Sequence, residues 1–149
     1  SGVAFSDLDN IKDWRTILSN FHVCPFVLKV DGEKLRFNTI EHAFQYGKLA
    51  LVDKKLAYSL TMDSGTDLGN GDGLAARMAR KLIILDTDTL RKWGSMSKDF
   101  MKKAAIEKYK QCPDALKVLK YTKNAELWHY SRGEPPIRFT HLEEIRSKH

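Results

Sequence analysis

An Asp-Gly pair, Asp31-Gly32, stands between two apolar runs, Phe26-Val27-Leu28-Lys29-Val30 and Leu35-Arg36-Phe37. Asp-Gly between such runs is a strong short-range signal for a two-residue turn, so this stretch reads as a β-hairpin. Either Asn38 or Thr39 can cap a helix that follows directly. That helix is expected over about residues 40–52, because Ile40, Ala43, Phe44, Gly47 and Leu51 fall on one side at helical spacing.

Further helices are expected over residues 54–62 and from near Asp72 to about Leu85. A short one carries Leu90 and Trp93 behind Thr87 or Asp88 as cap. A separate long one, capped by Ser97, turns Phe100, Met101, Ala104, Ala105 and Tyr109 inward. Pro113 suits the first turn of another helix. Residues 125–130 read as a strand, Pro135-Pro136 as a break, and residues 141–148 as a last helix. The Gly-rich stretch 62–73 lacks the GxxxxGK[ST] phosphate-loop pattern and reads as a flexible surface loop. The sum is an α+β chain, mainly helical, forming one domain over residues 1–149.

Composition narrows the class. Residues 1–74 carry 8 Lys+Arg against 10 Asp+Glu, a net −2, and residues 75–149 carry 17 against 9, a net +8, so the excess behind the chain's +6 resides in the second half. A basic half suits an anionic partner such as a phosphate, a dinucleotide or a nucleic acid, with solvated helix faces as the plainer explanation. No run reaches the roughly 18 apolar residues of a membrane span. Ser1-Gly2-Val3-Ala4 lacks the look of a secretory signal, so an intracellular protein with no membrane partner is expected. Cys24 and Cys112, far apart, are expected to be reduced thiols rather than a disulfide or a zinc pattern. The five histidines have no metal-ligand spacing, and neither a metal nor a cofactor is expected.

On the helix after the hairpin, Glu41, Gln45 and Lys48 lie at i, i+4 and i+7, which aligns a carboxylate, an amide and an ammonium along one side, with His42 beside them. Such a row can wall a pocket; taken alone it equally describes a solvated ladder.

The surrounding residues weigh toward the pocket. Leu18-Ser19-Asn20-Phe21, Phe26, Asp31-Gly32, then Thr39-Ile40-Glu41-His42-Ala43-Phe44-Gln45 and Lys48 resemble the opening of the NADAR, or YbiA-like, family: L-S-N-F, a hairpin with a D-G turn, then T-x-E-H-x-x-Q-x-x-K. Ala76-Arg77, Ala79-Arg80, Trp93, Met101, Ala104, Lys108-Tyr109, Gln111, Thr122 and Leu127 continue the likeness, which covers about residues 14–128. The Glu-His-x-x-Gln-x-x-Lys run is moderately specific alone and strongly so in this company. One segment departs: the D-x-x-W-G of many members is missing from residues 128–136, and His129 stands about where their acidic residue falls.

The resemblance implies an N-glycosidase, cleaving between a base nitrogen and ribose C1. The favoured substrate is ADP-ribosylated guanine in nucleic acid. A ribosylaminopyrimidine phosphate of riboflavin synthesis is the alternative, and a non-catalytic ADP-ribose or nucleotide-binding module a third possibility. A plain nucleic-acid-binding domain ranks last, for want of a recognition-helix or RNP-type motif. By analogy with glycosidases, Glu41 would stabilise an oxocarbenium-like sugar and activate water. Lys48 would either bind a phosphate or ribose hydroxyl or attack C1 to form a Schiff base. Asn20 would orient ribose or base, Phe21 and Trp93 would stack or line the pocket, and Arg77, Arg80 and Lys108 would meet phosphate. Gln45 belongs to the polar row, His42 is more a helix-positioning residue than a catalyst, and His129 is a candidate substitute acid/base.

Overall fold

The structure, a computed structural model, describes residues 11, 14–129 and 135–149; Ser1 to Ala4, Tyr130 and the 131–134 part of the departing segment lie outside them. After a short helix α1 (Trp14–Ile17) the chain forms the expected hairpin, β1 (Phe26–Val30) and β2 (Glu33–Phe37), in a register that pairs Phe26 with Phe37 and Val30 with Glu33. Asp31 (φ 49°) and Gly32 (φ 86°) both take left-handed backbone, the requirement of a turn matched to strand twist. Phe26, Leu28, Leu35 and Phe37 form the buried face.

Helix α2 (Ile40–Leu49) follows at once, with Thr39 as its cap: the threonine hydroxyl accepts the His42 amide at 3.1 Å. Ile40, Ala43 and Gly47 are buried. Gly47 lets α2 lie directly on another helix, since a Cβ there would sit 2.8 Å from the Phe100 ring. That partner, α5 (Thr87–Gln111), is one continuous helix of 25 residues and not the two expected. Its cap is Asp86, whose carboxylate accepts the Thr89 amide. The residues between the two expected helices do not stop it: Gly94 faces open space, and Ser95 returns its hydroxyl to the Lys92 carbonyl, as serine does inside helices.

Between α2 and α5 lie α3 (Lys54–Tyr58), a 3-10 turn at Met62–Ser64, and α4 (Gly73–Met78), which tightens into a second 3-10 turn at Ala79–Lys81. The two expected helices here are therefore shorter than their apolar patterns suggest. The 62–73 stretch is no loose surface loop. Gly69 is buried so closely that a Cβ would meet the Thr61 carbonyl, and Asn38 Nδ2 donates to the Gly71 carbonyl at 2.7 Å.

Pro113 opens α6 (Pro113–Tyr121), and α7 (Thr140–Ser147) closes the chain. The expected strand at 125–130 reduces to β3 (Trp128–His129), paired with β4 (Ile137–Arg138) beyond the diproline. The α5 end is sewn to the hairpin: the Gln111 amide accepts the Val27 N–H at 2.7 Å and donates to the Val27 carbonyl at 2.8 Å. The same junction brings Cys24 to Cys112, and they form a disulfide across 88 residues, contrary to the reduced thiols expected. Spacing in sequence carries no information about a pair that tertiary docking creates. Among the described residues no helix is long and apolar enough to cross a membrane.

Candidate active site

The polar row of α2 faces a cleft of about 740 Å³, walled by α2, the 19–21 turn, α4 with its 3-10 extension, the middle of α5 and the β3–β4 ladder. Glu41, only 9% exposed, lies in its wall. The carboxylate accepts a 3.0 Å hydrogen bond from Gln45 Nε2, one helical turn on. Burial raises its pKa above the ordinary carboxylate range, against the opposing pull of the Gln45 amide and of Arg77, Arg80 and Lys48. The carboxylate and these cations make no ion pairs among the described residues, so the charge of the cations is available to something else.

Arg77 and Arg80 reach the cleft from α4 and the turn after it, three residues apart and so on one side. Lys48 and Lys98 complete four cations around a single carboxylate. Two buried amide oxygens of the lining, Gln45 Oε1 and Asn20 Oδ1, have no hydrogen-bond partner among the described residues. Buried acceptors without donors are rare in folded proteins and mark places where a ligand or water supplies the missing N–H or O–H.

The turn bearing Asn20 and Phe21 is held by its backbone. The Asn20 carbonyl accepts the Glu41 amide at 3.0 Å, tying the turn to the start of α2. Asn20 Nδ2 contacts Met101 Sδ of α5 at 3.7 Å, and Gly73 packs against Phe21 so tightly that a Cβ would fall 2.5 Å from the Phe21 Cα. His129 lies at the other rim, stacked on Phe139 with ring centroids 5.0 Å apart.

Of the residues singled out from the sequence, Asn20, Phe21, Glu41, Gln45, Lys48, Arg77, Arg80 and His129 come together here. Three do not line the cleft. His42 is fully buried on the other side of α2. Its Nε2 donates to the Leu68 carbonyl at 2.9 Å, so in the neutral ring Nδ1 accepts from the Thr39 hydroxyl at 2.7 Å. Burial lowers its pKa, opposed by the bond to Leu68. Trp93 packs edge-on between Phe44 and Phe100, behind the wall. Lys108, expected at phosphate, is wholly buried and donates to the carbonyls of Ile17 and Ser19 at 3.0 and 3.1 Å; burial drives its pKa down to about 7. It steadies the turn that carries Asn20 and does not itself line the cleft.

Sequence reasoning missed Ser97, Lys98 and Met101. Residues 97 and 101 stand at i, i+4 on α5 and line the cleft together with Lys98. Ile137 and Phe139 gave no signal, since a two-residue ladder brings them in.

The fold is a mainly helical α+β domain with a small hairpin, and its second helix presents a buried carboxylate to a cationic cleft. The NADAR domain model matches residues 9–134, and the chain belongs to that family. The NMR structure of the E. coli protein YbiA superposes with a TM-score of 0.62 at 25% identity, covering 89% of this chain and 76% of that one. No curated protein matches the chain.

Proposed function

We propose that the chain is an N-glycosidase that hydrolyses the bond between a base nitrogen and ribose C1, with ADP-ribosylated guanine as the favoured substrate. One observation carries the reading: a buried, unpaired carboxylate, Glu41, shares a cleft with four cations that have no counter-ions among the described residues. The cations suit phosphates attached to the sugar, and the carboxylate suits the cationic carbon that forms when the base departs. In the step, the C1–N bond breaks with its electron pair passing to the base nitrogen. Ionised Glu41 accepts a proton from the water whose oxygen bonds to C1, and the base nitrogen takes up a proton from solvent. Gln45 holds the carboxylate in place through its Nε2. The unpartnered Oε1 of Gln45 and Oδ1 of Asn20 are acceptors for ribose hydroxyls or base N–H groups. Phe21 offers a ring beside them for the leaving base. Lys48 acts with Arg77 and Arg80 on phosphate rather than as a nucleophile, since it stands in a set of cations around the one carboxylate.

A mass-spectrometric turnover assay tests this. Wild type and Glu41→Gln are incubated with an oligonucleotide carrying ADP-ribosylated guanine and, separately, with the riboflavin-pathway ribosylaminopyrimidine phosphate. Release of free ADP-ribose by wild type and not by the variant is the expected result. Cleavage of the pyrimidine alone would keep the reaction and replace the substrate. Binding of ADP-ribose with turnover of neither would overturn the enzymatic reading.

A further inference from the structure

Beside the cationic cleft lies a second recess of about 600 Å³, and Ser19, His129 and Phe139 line both. The two cavities differ in chemistry. The first holds the carboxylate and the cations. The second is bounded by two indoles, Trp14 and Trp128, over an apolar floor of Leu18, Leu127 and Leu142, with Arg15 and Glu126 at its edge. Trp128 is 46% exposed, and its Nε1 donates to Glu126 at 3.2 Å, which fixes the ring plane without covering it. Arg15 lies over the Trp14 ring at 4.1 Å, which sets a guanidinium and an indole together at the recess.

We infer that this aromatic recess is a second binding subsite, which holds the purine base at the far end of a nucleoside-diphosphate sugar while the reacting ribose sits at Glu41. The inference rests on the function proposed above and narrows it to ligands with a base at both ends. Three features favour a base over other occupants. Indole faces bind flat π-systems of any base by stacking. Glu126 and Arg15 supply an acceptor and a donor for the polar edge of such a ring. Ser19, His129 and Phe139 line both cavities, so the two ends of one nucleoside-diphosphate sugar would meet adjoining walls. A ribosyl monophosphate occupies the first cleft and leaves the recess empty.

Calorimetric binding of two probes, ADP-ribose and ribose 5-phosphate, to wild type and Trp128→Ala tests the assignment. Wild type should bind ADP-ribose more tightly than ribose 5-phosphate. Trp128→Ala should weaken ADP-ribose about ten-fold, the scale of one lost stack, and leave ribose 5-phosphate unchanged. In wild type, ADP-ribose but not ribose 5-phosphate should also shift an indole N–H resonance of Trp14 or Trp128 while that of buried Trp93 stays in place, a readout that does not depend on the variant folding. Equal affinity of wild type for the two probes, unaltered ADP-ribose binding by Trp128→Ala, or unmoved indole signals would overturn the subsite and leave the glycosidase reading standing. Failure of wild type to bind either probe would overturn both.

Discussion

Lys108 makes a prediction about stability that can be worked through in numbers. Its ammonium lies in the core with two carbonyl partners, those of Ile17 and Ser19. A neutral amine has two N–H donors and satisfies both; a charged one adds a third donor and a desolvated charge. Burial therefore brings the folded-state pKa from 10.5 to about 7. The unfolded chain binds a proton at this site up to its ordinary pKa and the folded chain releases it near pH 7, so in between the unfolded state carries more protons and stability rises with pH. The slope approaches 1.4 kcal/mol per pH unit, and integrating from pH 7 to 9.5 gives about 3 kcal/mol. For a chain of this length that corresponds to roughly 6–12 °C in Tm. Lys108→Met removes the titration while also leaving two carbonyls unpaired, so its absolute stability is the wrong quantity to compare. The informative quantity is the wild-type minus variant difference in unfolding free energy, from urea titrations at half-unit steps over that range, because other titrating groups cancel in it. His22, whose pKa is lowered first by burial and then by Lys108, titrates below the window. The difference should climb by about 3 kcal/mol in favour of wild type. Parallel curves would refute the argument that burial neutralises this lysine.

Four further outcomes are expected. Because burial raises the Glu41 pKa, the acid limb of kcat/KM should lie above the ordinary carboxylate range; Arg80→Met, which removes a lowering charge, should move that limb to higher pH, and Glu41→Gln should lower kcat about 100-fold or more in the same turnover assay. Cyanoborohydride added during turnover should leave the Lys48 peptide unmodified by mass spectrometry, and a ribosyl adduct there would instead establish the Schiff-base route. Gly73→Ala places a Cβ 2.5 Å from the Phe21 Cα, so it should cost about 1–3 kcal/mol in urea unfolding and raise KM as Phe21 shifts. Reducing Cys24–Cys112 opens a closed loop of 88 residues' separation, which should lower unfolding free energy by about 4–5 kcal/mol; two alkylatable thiols in the folded, unreduced protein would contradict the bond.

The local half of this structure was legible in its residues. Asp31-Gly32, Thr39 and Pro113 each act through the backbone within a few positions, and each turn, cap or helix start lies where the chemistry places it. The spacing of Glu41, Gln45 and Lys48 likewise puts them on one wall. What was not legible depends on which groups tertiary packing desolvates. A lysine in a basic half looks like a phosphate ligand, yet Lys108 points to carbonyls 89 and 91 residues away. Trp93 and His42 carry groups that suit a binding site, and their burial behind α2 follows from which face of each helix meets which neighbour. The disulfide and the merged α5 are of the same kind.

The 62–73 loop hangs from the back of α2, through His42 to the Leu68 carbonyl and through Asn38 to the Gly71 carbonyl. It then leads straight into the helix that bears Arg77, with Arg80 in the turn after it. The carboxylate is thus set by the helix, and the guanidinium groups by the length of a tether fastened to that helix's opposite side. A residue gained or lost between Gly71 and Gly73 would therefore move the two guanidinium groups along the cleft wall, while the Thr39 cap and the Gln45 bond that set Glu41 lie on α2 itself.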